Sequence, residues 1–167
     1  MLPKLLIMKS QINYVAFIVM VFITSCSSLK TTSGIINEVI QKVQSKDFDI
    51  GVNYATPMRG RQLYLNSDYD LRIKNDSAFA YLPYFGIAYS APYGGDGGIQ
   101  FAEPMKNYSV HSTKKSNGWD IWFKIKEKEN NYDIFICIFN NGSAMITVNS
   151  FNRQSITFDG ELKSELK

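Results

Sequence analysis

Two cysteines, one histidine and no apolar run long enough to span a membrane limit what this 167-residue chain can do. Two cysteines cannot build a disulfide framework. Cys137 lies inside an apolar run and is expected to be a small buried hydrophobe. A lone histidine, His111, sits on the polar side of its alternating segment and is expected to be solvated. Zinc sites draw three or four ligands from Cys, His and carboxylates, and no such cluster is present, so neither a metal nor a cofactor is expected. Asp68-x-Asp70 does not continue as a calcium loop, because Ile73 stands where that loop needs Gly and Phe79 where it needs Glu. No G-x-S-x-G frame surrounds Ser90 or Ser143. Gly95-Asp96-Gly97 begins a dinucleotide fingerprint, but Gln100 occupies the third Gly position and no helix pattern follows. No catalytic constellation is visible, and the chain is not expected to be an enzyme. Excess charge of one sign is also scarce. The formal net charge is +3, and Lys4 and Lys9 in the leader account for two of those charges. Nucleic acid is therefore not an expected partner.

The longest apolar run, Tyr14 to Ile23, is shorter than the roughly 20 residues of a membrane helix but has the length of a signal-peptide core. It ends in Ile23-Thr24-Ser25-Cys26, which resembles a bacterial lipobox. Residues 1–25 are therefore expected to be a lipoprotein signal peptide, with 1–7 a start-site artefact ahead of Met8-Lys9. Cys26 is expected to carry acyl chains that attach the protein to a membrane, since two or more chains hold stably. Residues 26–32 form a polar tether, 33–162 a single β domain and 163–167 a charged tail.

What the chain has in quantity is aromatic residues, 14% of the total with ten Tyr and eleven Phe. Such residues suit a pleated sheet better than a helix bundle. Ile35, Ile36, Val39, Ile40 and Val43 recur at helical spacing and predict one amphipathic helix near 34–45, with Ser33 as its N-cap. After Asp47 the period drops to two: Phe48, Ile50, Val52 and Tyr54 alternate with polar residues. Short alternating segments then follow one another, separated by turn signals. Pro57 to Gly60, Asn66-Ser67-Asp68, Asn75-Asp76, Ser116-Asn117-Gly118 and Asn140-Asn141-Gly142 mark the turns. The run from Tyr132 to Phe139 is apolar on both sides and predicts a central or helix-covered strand. The last strand is expected from Ser155 to Glu161. About nine short strands without βαβ alternation predict a mainly β fold. The form expected is an antiparallel meander curled into a barrel-like sheet, with a two-sheet sandwich as the alternative.

The most unusual stretch runs from Phe79 to Phe101. It sets Tyr81, Tyr84, Phe85, Tyr89 and Tyr93 among prolines and the flexible loop Gly94-Gly95-Asp96-Gly97-Gly98. These residues can plug the sheet as core, rim a small-ligand cavity at a barrel mouth, or form a docking patch. Trp122, pointed away from the Trp119 face by alternation, joins the candidate surface. Arg59, next to Gly60, is a candidate anion grip or else a surface charge paired with Asp68 or Asp70.

Met58-Arg59-Gly60, Leu82-Pro83-Tyr84-Phe85-Gly86, Ala88-Tyr89, Pro92-Tyr93, Gly97-Gly98-Ile99 and Asn152-Arg153-Gln154 together resemble the Bacteroidetes lipoprotein family labelled domain of unknown function 4251. The resemblance covers about residues 45–160. It implies a lipobox signal and an envelope location, and no activity. In that phylum surface export goes with acidic residues after the lipidated Cys; Ser27-Ser28-Leu29-Lys30 has none. The expectation is a lipid-anchored protein of the outer membrane facing the periplasm. It would act as a non-enzymatic binding module for a small or amphipathic ligand. The alternative is an accessory protein docking on an envelope protein or complex through its aromatic surface.

Overall fold

The computed structural model describes residues 32–89, 97–113, 117–127 and 130–164. Helix α1 (Thr32–Ser45) leads into nine strands: β1 (Asp47–Pro57), β2 (Leu63–Lys74), β3 (Ser77–Leu82), β4 (Ile99–Pro104), β5 (Lys106–Thr113), β6 (Gly118–Lys126), β7 (Asn131–Phe139), β8 (Ser143–Ser150) and β9 (Arg153–Leu162). They form one sheet in the order β4-β3-β2-β1-β9-β8-β7-β6-β5, not two. Every neighbour is the next strand in sequence except β1 and β9, which pair from Ile50–Leu162 to Pro57–Ile156. This is a meander whose first and last strands meet.

The two outer strands explain how the sheet curls. An even number of antiparallel steps separates β4 from β5, so both run the same way. Only Met105 lies between them. They are two halves of one bent strand, the first paired with β3 and the second with β6. The Met105 N–H donates to Asp76 O at 2.8 Å, still on the β3 side; Lys106 then pairs with Lys124 of β6. Pro104, which has no N–H, ends the first half. Asn107 at φ 55° and the bulge between Lys106 and Ser109 turn the second. The result is a nearly closed, barrel-like sheet.

Its inside is filled. Ile50, Leu71, Ile73, Phe123, Tyr132, Ile134, Ile136 and Phe158 are all at most 2% exposed. Alternation carries the other set outward: on β7, Ile134, Ile136 and Ile138 point in while Phe135 is 36% exposed. The strand is central, between β6 and β8, and Cys137 on its outward side is buried, but helix cover is not what it has. Phe135 lies beside Trp122 on the outer face, where the two are register partners, and α1 packs on β1 instead. A correction concerns Asn66-Ser67-Asp68, which does not end a strand. β2 runs through it, and the ladder with β1 jumps from Val52–Tyr69 to Tyr54–Tyr64. The extra residues form a bulge, which local turn propensity cannot distinguish from a true reversal.

Helix α1 buries Val39 and Val43 against the end of the barrel where β1 begins. Lys46, in the left-handed region at φ 51°, terminates it. The Lys46 ammonium lies 3.0 Å from Asp76 Oδ1 and 4.8 Å from the centre of the Tyr108 ring, tying the helix end to the β2–β3 turn and to β5. No helix among the described residues is long and apolar enough to cross a membrane.

The inward and outward faces make a direct test. Phe123→Ala empties a core position and is expected to cost about 3–5 kcal/mol in urea unfolding. Phe135→Ala on the outer face of the adjacent strand should cost under about 1 kcal/mol. Equal losses would contradict the assignment of faces.

Candidate functional site

At the end of the barrel opposite α1, residues 83–89 after β3 and 97–98 before β4 are the two described limbs of the β3–β4 connection. They meet the start of β9. The Tyr89 N–H donates to Asn152 O at 2.8 Å and the Gln154 N–H to Ile87 O at 3.1 Å, so Ala88 and Arg153 form a short antiparallel bridge. These bonds extend the edge of β9 beyond the point where β1 leaves it, marked by the Met58 N–H to Ser155 O bond of 3.2 Å.

Arg153 is the centre of this arrangement. The residue is only 7% exposed, and its Nη1 donates to Gly98 O at 2.8 Å and Gly97 O at 3.1 Å. Its guanidinium lies 5.2 Å from the centre of the Tyr84 ring. Among the described residues no carboxylate pairs with it, and its Nε is buried and without an acceptor. A buried cation needs compensation; here backbone carbonyls and an aromatic face supply it. Gly97 has φ 72°, a conformation glycine adopts at no steric cost and one that helps present the two carbonyls.

Tyr84 closes the other limb. Its hydroxyl lies 3.0 Å from Ile87 O and 3.1 Å from Gln154 O, one proton shared between two carbonyls. A Cβ at Gly86 would stand 2.8 Å from that hydroxyl, so a side chain there would push the hydroxyl away from these carbonyls. Burial pushes the Tyr84 phenol above its ordinary value, against the pull of the Arg153 charge. Burial likewise raises Tyr132, again opposed by Arg153, and Tyr108. Tyr132 also meets Phe101 at a ring distance of 5.5 Å. Below this, Asn152 bonds to Asn130 and Ser150, so the β6–β7 connection joins the same network.

The other sequence-predicted residues are spread more widely. Tyr89 is exposed at 68% and Phe85 half as much, both on the limb after β3. Tyr81 lies on the outer side of β3, stacked on Tyr69 at 5.5 Å, away from the Arg153 contacts. Trp122 is on the outer face of β6 with the Lys124 ammonium over its ring at 5.2 Å, also apart from Tyr84. Arg59 is exposed in the β1–β2 connection; Asp70 is instead held by Lys163 at 3.0 Å. Cys26, Tyr93, Gly94, Gly95 and Asp96 lie outside the described residues. Among the described residues no three His, Cys, Asp or Glu side chains group as metal ligands.

Arg153 itself was not singled out as a site residue. Its signal was the polar run Asn152-Arg153-Gln154 where a strand begins. The structure starts β9 at Arg153 rather than Ser155, because Arg153 pairs with Ser150 and Ala88 and the Gln154 N–H donates to Ile87 O.

Removing the Tyr84 hydroxyl tests this geometry. Tyr84→Phe should lower stability by about 0.5–1.5 kcal/mol. The raised phenol adds a pH effect. The folded chain keeps a proton that the unfolded chain releases near 10.0, so this contribution is whole below pH 10 and falls away as pH rises through the folded value. The stability of Tyr84→Phe should decline less steeply above pH 10 than that of the wild type. Identical alkaline profiles would contradict the placement.

A solved structure with the same fold is a crystal structure of a DUF4251 family protein from Bacteroides eggerthii. It is 18% identical, covers 77% of this chain and 86% of its own, and superposes with a TM-score of 0.59. A search of curated proteins finds no match. The family model for the domain of unknown function DUF4251 matches residues 32–162, from the start of α1 to the end of β9. The chain belongs to the DUF4251 family.

Proposed function

We propose that the protein is a lipoprotein of the bacterial envelope, acylated at Cys26 and facing the periplasm from the outer membrane. Its β domain is a non-enzymatic binding module that docks on another envelope protein. The lipobox-like Ile23-Thr24-Ser25-Cys26 supports the anchor, and the absence of acid in Ser27-Ser28-Leu29-Lys30 supports the orientation.

One observation carries the docking function. Met58, Tyr89 and Phe151 are 70%, 68% and 73% exposed, and all three surround the start of β9. Met58 is bonded to Ser155, Tyr89 to Asn152, and Phe151 directly precedes Asn152. Large apolar side chains grouped and exposed in this way are characteristic of interaction surfaces. Helix α1 lies at the opposite end of the barrel, away from these three side chains. A ligand within the barrel, the other use of an aromatic mouth, has less support, because Phe123, Tyr132 and Phe158 fill the interior.

The experiment is photo-crosslinking in intact cells. A photoreactive residue at Tyr89 or Met58 should give a discrete adduct with an envelope protein, while one at Phe79 on the outer side of β3 should not. Radiolabelled palmitate should enter the wild type and not Cys26→Ala. Equal adducts at Tyr89 and Phe79 would remove the docking rim, and label in Cys26→Ala would remove the anchor.

A further inference from the structure

On the outer surface where β5, β6, β7 and β8 run side by side, an open cleft of about 570 Å³ lies between strand ends. Small-molecule sites typically occupy roughly 300–1,000 Å³. Lys106 and Lys124, both lining it, are direct cross-strand partners. Lys126, two residues along β6 from Lys124, shares that face. Asp133, 3.3 Å from Lys124, is the one carboxylate among the described lining residues. Three ammonium groups against one carboxylate leave two positive charges facing the cleft. Like charges directly opposite one another weaken a ladder; Asp133 offsets one of these charges, and a bound anion would offset the excess that remains. The amides of Asn107 and Asn149 also line the cleft, and the exposed Phe151 ring forms an apolar wall.

We propose that this cleft binds a phosphomonoester carried on a sugar-like ring. Lys106 and Lys124 hold the dianionic phosphate, the asparagine amides meet ring hydroxyls, and Phe151 lies against the ring face. The charge count selects a dianion over a neutral sugar, and the apolar wall selects a ring-bearing phosphate over the inorganic ion. The same chemistry occurs in a soluble sugar phosphate and in a phosphorylated inositol headgroup. This site shares Phe151 with the docking rim, but its lysines and asparagines lie outside that rim, and it does not depend on docking.

The test uses the full chain in phosphatidylcholine nanodiscs, titrated calorimetrically with glucose 6-phosphate, glucose and inorganic phosphate. Glucose 6-phosphate should bind more tightly than phosphate, and glucose should give no heat. Lys106→Gln and Lys124→Gln should each weaken binding by about tenfold or more, and Lys74→Gln on β2 should not. Lys106→Gln should melt no lower than the wild type, because it removes a like-charge pair, so lost binding cannot be ascribed to unfolding. Discs doped with phosphatidylinositol 4-phosphate distinguish the source: loss of the soluble signal assigns the site to the headgroup, and its persistence to the soluble sugar phosphate. Glucose binding as well as glucose 6-phosphate, unchanged affinity in Lys106→Gln, or no heat with any phosphate would overturn the proposal.

Discussion

A guanidinium buried at the mouth of a barrel must find acceptors, and Arg153 takes them from the β3–β4 connection. Its bonds to Gly97 O and Gly98 O fix one limb of that connection. Its face-on approach to Tyr84 fixes the other, and Tyr84 passes the constraint on to Ile87. Charge-assisted bonds to carbonyls are among the stronger polar contacts in a protein, and losing the donor strands the acceptors. The exposure of Tyr89 and Ile87 beside Met58 and Phe151 follows from this anchoring. The Ile87 and Tyr89 backbone bonds go to β9, and the two side chains are left facing solvent.

Barrel closure places the remaining constraints. A single bent strand, β4 and β5 joined at Met105, carries the chain from one edge of the sheet to the other, and the β1–β9 ladder unites the two termini of the domain. Large side chains fill the interior and α1 lies on one end, so the opposite rim and the outer faces are what the barrel presents to its surroundings. The rim is apolar and aromatic; the β5–β8 surface is basic.

Much of this was legible in the chain. The period-two pattern of Phe48–Val52 and Trp119–Ile125 identified strands and their inward faces, and Ile35–Val43 identified the helix, because burial on one side leaves a periodic mark; Tyr54, expected on the inward face, lies beyond the shift in register after Val52 and is 41% exposed, with Ala55 buried in its place. The bulge at Asn66-Ser67-Asp68 was not legible, since a bulge and a turn use the same residues. Continuity through Pro104-Met105 was hidden for the converse reason: a proline reads as a break, while here it only ends pairing on one side. Tyr84 was identified from its setting in Leu82-Pro83-Tyr84-Phe85-Gly86. Tyr81, three residues earlier, proved to belong to the outer face of β3. Arg153 could not be matched to its partners from sequence, because those partners are backbone carbonyls some 55 residues away and carry no side-chain signature.

The most direct measurement is amide hydrogen exchange on Arg153→Met against the wild type. If Arg153 holds the two limbs, the Tyr89 and Gln154 amides, protected in the wild type, should exchange freely in the variant while Ile136 in the core stays protected. Unchanged protection at Tyr89 and Gln154 would contradict the account, because it would mean that the limbs stay in place without the guanidinium.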